Sequence, residues 1–268
     1  MAGHQDRHVG LAHPAPGRSR ASRRDRPPPA EPLRAARAGC RARPRALKYW
    51  VRARQGMTVL DALVEVQRGT DPTLAFRYAC RVGMCGSCGM VINGRERWAC
   101  RTLLSRLERG PVTVRPLYHF PLIRDLVVDM EPIKRKMLES KAVFVPRRPA
   151  EDDEGFAAVS GRSRERRAVD GAIECIGCGM CVSACTMVAH DSRFPGPAAL
   201  NRVFTLQRDS RDGAHAERSE ALLAEDVLTR CHTQANCTAV CPMQLSPTDS
   251  ILALRRRALL QLVGFRPR

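Results

Sequence analysis

The hydrophobic pattern of the chain changes period several times, and each change predicts a different element. Residues 48–54 hold Tyr49, Trp50 and Val51, aromatic and β-branched side chains that predict a strand, and Gln55-Gly56 is the turn that ends it. A helical period follows. Thr58 with Asp61 three residues on is a capping-box start, and Leu60, Leu63 and Val64 recur at i, i+3 and i+4 to give one buried face. After a glycine-rich loop, Met90-Val91-Ile92 and Arg95-Glu96-Arg97-Trp98 flank Asn93-Gly94. Asn-Gly supplies the positive φ angles of a type I′ turn, so this stretch predicts a hairpin, with Trp98 as a packing residue. Val112-Thr113-Val114-Arg115, before Pro116, predicts a closing strand, and residues 120–129 the start of a helical connection. Beyond residue 170 the pattern is helical throughout. Leu200, Val203 and Phe204 share one face, and Ser246, Pro247 and Asp249 form an N-cap, a first-turn proline and an acidic third residue. Ile251, Leu252, Leu259 and Val263 are expected on the core side of that last helix.

Two stretches carry no such period. In residues 1–46, 32 of the 46 are Arg, Pro, Ala or Gly, and few large apolar side chains besides Val9, Leu11 and Leu33 interrupt them, so they predict a disordered arm. Residues 145–170 are charged and poor in apolar groups, which predicts a surface linker. The 268 residues suit about two domains at ~100–200 residues each. The boundaries read as an arm over 1–46, a sheet domain over 47–140, a linker over 141–170 and a helical domain over 171–268.

Charge changes this picture little. The net charge is +18, and the arm supplies +8 of it from eleven Arg against Asp6, Asp25 and Glu31. No aromatic side chain interrupts the basic run to stack on bases, so nucleic acid is not an expected partner. Pro14, Pro16 and Pro27-Pro28-Pro29 oppose the amphipathic helix of an organelle transit peptide. No stretch approaches the ~18 consecutive apolar residues of a membrane span, so a membrane role is expected to come through a partner.

The cysteines change it most. Twelve could form six disulfides, but eleven fall into cluster spacings and no apolar signal segment is present, which favours metal ligation in a reducing cytoplasm. Cys175-x2-Cys178-x2-Cys181-x3-Cys185 is the spacing of bacterial-type ferredoxins, in which the fourth cysteine faces a second cluster. Its counterpart is Cys231-x5-Cys237-x3-Cys241-Pro242. Upstream, Cys80-x4-Cys85-x2-Cys88 with Cys100 beyond has plant-type [2Fe–2S] spacing, in a loop that Gly83, Gly86 and Gly89 let approach cluster sulfides. Cys40 fits none of these sets. The expected fold class is α+β: a β-grasp domain of the plant-type ferredoxin kind followed by an all-α domain of the bacterial-ferredoxin kind, behind a disordered N-terminal arm.

Together these residues resemble the iron–sulfur subunit of the succinate dehydrogenase and quinol:fumarate reductase family. The matching stretches are residues 71–78, the first cysteine set, residues 124–129 and 174–185, Pro195-Gly196-Pro197-Ala198-Ala199, Asp209-Ser210-Arg211-Asp212, and residues 231–247. The resemblance implies that Cys80, Cys85, Cys88 and Cys100 hold [2Fe–2S], that Cys175, Cys178, Cys181 and Cys241 hold [4Fe–4S], and that Cys185, Cys231 and Cys237 hold [3Fe–4S]. It implies electron transfer between an FAD flavoprotein partner, which interconverts succinate and fumarate, and a quinone at a membrane-anchor subunit. The chain would then sit peripherally on the cytoplasmic face of the inner membrane. No dinucleotide fingerprint is present, so no substrate site is expected here. His232 matches a family position near the quinone. At the same end the sequence departs from the family, with Thr186-Met187-Val188-Ala189-His190 where many members have Pro and often Trp. The cluster pattern reports electron flow and not substrate, so a related wire, for a thiol-linked fumarate reductase or a glycolate-type oxidase, fits the same cysteines.

Residues 175–241 supply seven thiolates where two four-iron clusters need eight, and Gln234 stands where a standard run would place the eighth, three residues after Cys231. A neutral carboxamide is a poor iron ligand beside thiolate.

Overall fold

The computed structural model describes residues 6–13, 45–147, 159–223 and 227–264. Strand β1 (Asp6–His13) pairs antiparallel with β2 (Arg45–Arg52), and α1 (Val59–Gly69) follows. The expected capping box is present: the Thr58 hydroxyl accepts from the Asp61 N–H, and the Asp61 carboxylate accepts from the Thr58 N–H at 2.9 Å. The buried face of α1 is Val59, Leu60, Ala62, Leu63 and Val66, with Val64 only half-buried at its edge. Strands β3 (Gly89–Ile92) and β4 (Arg95–Trp98) form the expected hairpin, with Asn93 at φ 48° and Gly94 at φ 75°. β5 (Val112–Arg115) completes a sheet of order β2-β1-β5-β3-β4, in which only the β1–β5 pair is parallel. Tyr49, Val51, Met90, Ile92, Val112 and Val114 pack against α1 to form one core.

The expectation of a disordered arm over residues 1–46 is corrected at two places. Residues 6–13 fill the gap between β2 and β5, and β2 itself begins at Arg45. Val9 and Leu11 have the period of a strand, but two large apolar residues separated by Gly10 are too short a signal to outweigh the arm's composition. A neighbour on each side supplies the missing backbone partners. Residues 1–5 and 14–44, Cys40 among them, lie outside the described residues. Deleting residues 1–13 is therefore expected to uncover the ladder edges of β2 and β5 and to lower the melting temperature of the sheet domain. Calorimetry of the truncated chain checks this, and an unchanged transition contradicts it.

Residues 120–129 are also corrected: they form no helix. β6 (Leu122–Arg124) and β7 (Val127–Val128) make a small hairpin. Asp125 turns at φ 47° and accepts from the Ala75 N–H at 2.8 Å, while Arg124 donates to the Thr73 carbonyl at 2.8 Å. These bonds fix the segment to residues 73–75 in an extended form, and the helix α2 (Glu131–Glu139) starts only after it, with Pro132 in its first turn.

The helical region contains α3 (Arg164–Val169), α4 (Met180–Ser183), α5 (Thr186–His190), α6 (Pro197–Leu206), α7 (His215–Leu223), α8 (Asn236–Ala239) and α9 (Pro247–Leu262). α6 is buried almost throughout and packs on α9 through Leu200, Val203, Ile251 and Leu254. Within the stretch read as a linker, Ala142 and Val169 are buried in this same core. Residues 145 and 147 are bound to 213 and 211 through main-chain bonds of 2.7 and 2.8 Å. The helix start at Ser246 is as expected, its hydroxyl accepting from the Asp249 N–H. The inward face is as expected only at Ile251, which points into the core with Leu254 and Ala258, whereas Leu252, Leu259 and Val263 are 38, 59 and 78% exposed. Ile251 and Leu254 are three apart and Ala258 four further on, which is one stripe; Leu252 and Leu259 lie on the next stripe round.

The two regions meet through named contacts. Ser183 Oγ donates to the buried Glu96 carboxylate at 2.7 Å and accepts from the Tyr118 N–H, while Arg95 donates to the Ala239 carbonyl. Leu117, Val128 and Met180 form a small apolar cluster between them.

Candidate functional site

The first cysteine set lies on the loop between α1 and β3 and just after β4. The loop wraps its amides inward, so that the N–H groups of Met84 and Cys85 both donate to Cys80 Sγ at 3.3 Å. The Val82 amide first, and then those of Cys85 and Met84, hold the Cys80 thiol below its usual range. Cys85 falls to about 6, chiefly through the Ser87 hydroxyl and then through backbone amides. Cys100, delivered by the turn after the hairpin, is instead pushed up to about 12, first by burial and then by Cys88 beside it. The set is thus an outer pair of sulfurs, Cys80 and Cys85, already favoured as thiolates, and an inner buried pair in which Cys100 needs positive charge nearby. A metal centre held by these four cysteines would supply that charge, since a coordinated thiol is deprotonated outright.

The cysteines from Cys175 onward lie in and around two short helices of the same design, Cys181 on α4 and Cys237 on α8. α4 follows Gly179 at φ 80° and α8 follows Ala235 at φ 59°, and the two helices pack together. Two hollows open beside them. Cys175, Cys178, Cys181 and Cys241 line one, and Cys185, Cys231 and Cys237 line the other. The two chain segments cross over: the last cysteine of each run joins the other run's hollow. Among the described residues no three cysteines close on one point as a lone ion requires, and they instead surround a space. Burial pushes Cys178 up to about 11 and Cys181 well above the usual thiol range, while the amide of Met180 opposes this at Cys178. Cys185 is also raised by burial, opposed by the Val188 and Met187 amides at the start of α5. Buried thiols grouped around a hollow with inward amides are the donor set of an iron–sulfur cluster.

The structure brings together the cysteines that the spacing and the family resemblance grouped. It also shows contacts that the spacing did not announce. Gly86, at φ 72°, is the point where the first loop touches the second: a Cβ there would lie 2.6 Å from Cys178 Cβ. Gly86→Ala is expected to push the two cysteine loops apart and slow electron transfer between their clusters at least several-fold. Flash-triggered kinetics checks this, and an unaltered rate with all clusters present contradicts it. Arg255 donates to the carbonyls of Leu228 and Cys231 at 2.6 Å each and so holds the loop that carries Cys231. His232 is exposed at the mouth of the three-cysteine hollow, where the Thr186 hydroxyl donates to Gln234 Oε1 at 2.6 Å. His190 is exposed and lines a separate cleft with Arg95, Glu96 and His119. Trp98 packs between the sheet core and the Leu117 cluster, as a packing residue should.

Comparison with known proteins agrees with this arrangement. A 2Fe-2S iron-sulfur cluster binding domain matches residues 33–135, and a 4Fe-4S dicluster domain matches residues 171–245. The succinate dehydrogenase iron-sulfur subunit of Paracoccus denitrificans is 35% identical over 209 residues, 78% of this chain and 79% of that one. The fumarate reductase iron-sulfur subunit of Mycobacterium tuberculosis is 38% identical over 209 residues, 76% of this chain and 81% of that one. Among solved structures, a chain of the Mycobacterium smegmatis Sdh1 complex in the apo form matches with a TM-score of 0.72 at 29% identity, covering 81% of this chain and 91% of that chain.

Proposed function

Because the chain belongs to the family of succinate dehydrogenase and fumarate reductase iron–sulfur subunits, we propose that it carries electrons between an FAD flavoprotein partner and a quinone at a membrane anchor. The observation that carries this reading is the crossed pairing of the cysteine runs around two adjacent hollows, with the first loop in contact at Gly86. It makes a continuous line of three cysteine sets. In this reading Cys80, Cys85, Cys88 and Cys100 hold [2Fe–2S], Cys175, Cys178, Cys181 and Cys241 hold [4Fe–4S], and Cys185, Cys231 and Cys237 hold [3Fe–4S]. The clusters, when bound, supply one-electron carriers. The chain's own residues hold them in line, exclude water and aim amides at sulfur. The strand order with α1 packed on the sheet supports a β-grasp fold for the first domain, and the paired helices α4 and α8 support a bacterial-ferredoxin-like second domain.

The ends of the line are exposed. Val82 and Met84 stand 60 and 63% exposed beside the exposed Cys85, an apolar rim suited to the flavoprotein. At the other end His232 and Gln234 border the hollow assigned to the three-iron cluster, which we assign to the quinone and anchor side. Among the described residues no helix is long and apolar enough to cross a membrane, so attachment to the cytoplasmic face of the inner membrane would come through the anchor. The test is reconstitution. With the flavoprotein alone, succinate is expected to reduce a water-soluble dye, and quinone reduction is expected to appear only when the anchor is added. Quinone reduction without the anchor would sink the assignment.

A further inference from the structure

We propose that Asn201 raises the reduction potential of the cluster held by Cys175, Cys178, Cys181 and Cys241, by donating a hydrogen bond from its carboxamide to a cluster sulfur. The proposal rests on the ligand reading given above. Asn201 lies on α6, is 2% exposed and lines the four-cysteine hollow. The rest of that lining, apart from the thiols, is glycine, proline and apolar side chains such as Ile176, Met243 and Leu245, so Asn201 brings the one polar side chain.

Its orientation is fixed by two bonds. Nδ2 donates to the Ala172 carbonyl at 2.9 Å, and Oδ1 accepts from the Ser250 hydroxyl at 2.8 Å. A flipped carboxamide would set Oδ1 against the Ala172 carbonyl, so the Ala172 contact selects this orientation and Ser250 reinforces it. A carboxamide carries two N–H hydrogens, and Ala172 takes one. A buried donor seeks an acceptor, and the other side chains that line this hollow offer none but the cysteine sulfurs. A hydrogen bond to cluster sulfur is stronger when the cluster carries the extra electron, so it favours reduction. Ser250 acts through Asn201 and is a positioning residue.

The test is a redox titration of the complete complex, followed by the paramagnetic resonance of the reduced four-iron cluster. Asn201→Leu, similar in size but without N–H groups, is expected to shift the reduction equilibrium about tenfold toward the oxidised cluster, a fall of about 59 mV for one electron. Ser250→Ala is expected to shift it the same way by less. An unmoved midpoint with the four-iron signal intact overturns the proposal. If Asn201→Leu does not assemble, the unaltered protein decides: with asparagine side-chain amides labelled with nitrogen-15, pulsed resonance is expected to show a nitrogen coupled to this cluster, and its absence overturns the proposal. A protein with no four-iron signal at all overturns the ligand reading and this inference with it, which distinguishes the two failures.

Discussion

Electron paramagnetic resonance of the oxidised protein is expected to show a three-iron signal, and Gln234→Cys is expected to reduce or remove it in favour of a second four-iron cluster. The first run and Cys241-Pro242 are intact, so the vacancy among the seven thiolates falls to the hollow of Cys185, Cys231 and Cys237. Gln234 lines that hollow, and its Oε1 is held by the Thr186 hydroxyl, so a thiol at this position would start at the cluster's edge. With one fewer iron and one fewer thiolate, the three-iron cluster should have the higher potential and be the exit toward quinone. Each ~59 mV by which a four-iron replacement lies lower moves the electron about tenfold away from it. Quinone reduction by Gln234→Cys should therefore slow by at least that factor, while dye reduction at the flavoprotein side stays unchanged. Two four-iron clusters in the unaltered protein would show the ligand assignment to be wrong.

Truncating either partner of the buried Asp212–Arg218 pair is expected to cost about 3–5 kcal/mol, because the remaining charge is left in the core without its counter-ion. Both side chains are 0% exposed and meet through two bonds of 2.9 Å, and Arg218 also donates to the carbonyls of Lys141 and Val143. One guanidinium thus ties the segment entering the helical region to α7. Arg218→Met and Asp212→Asn should each lower the melting temperature by about 10 °C or more. The double replacement Asp212→Leu with Arg218→Met should lose less than the worse single, since no lone charge remains. Burial by itself would push Asp212 up, but the hydrogen bonds from Arg218, Ala214 and Val145 hold its carboxyl below the usual carboxylate range. Its stabilising contribution is therefore complete above the ordinary value of about 3.9 and is lost as pH falls through the lower folded value. Acid unfolding of Asp212→Asn should lack that component; a melting temperature within a degree of the unaltered protein in either single variant would contradict the account.

Much of the site was legible because iron ligation is written in local spacing. Cys80, Cys85 and Cys88, or Cys175, Cys178 and Cys181, need only a few residues of glycine-rich loop to converge, and that distance is visible along the chain. The same holds for Asn93-Gly94, for the Thr58 capping box and for the Ser246 helix start, whose partners lie within three residues. Which run Cys185 and Cys241 join spans more than forty residues, and it came from resemblance to a family rather than from the spacing itself.

What the sequence determined alone was the inventory: eleven thiols in three sets, one hairpin, and helices with capped starts. What the tertiary structure decided was everything whose partner is distant. Residues 6–13 became a strand because β2 and β5 offered backbone partners on both sides, which an Arg- and Pro-rich neighbourhood does not predict. Residues 120–129 became a hairpin because Asp125 and Arg124 bond to residues 73–75, about fifty positions away. On α9 both the Ile251 and Leu252 stripes are apolar, and only the position of α6 selected which of them is buried. Asn201 reads as an unremarkable polar residue in an apolar helix until Ala172 and Ser250 hold its carboxamide at the lining of the four-cysteine hollow. Local chemistry sets what each residue can donate or bury, and packing sets which residue it meets.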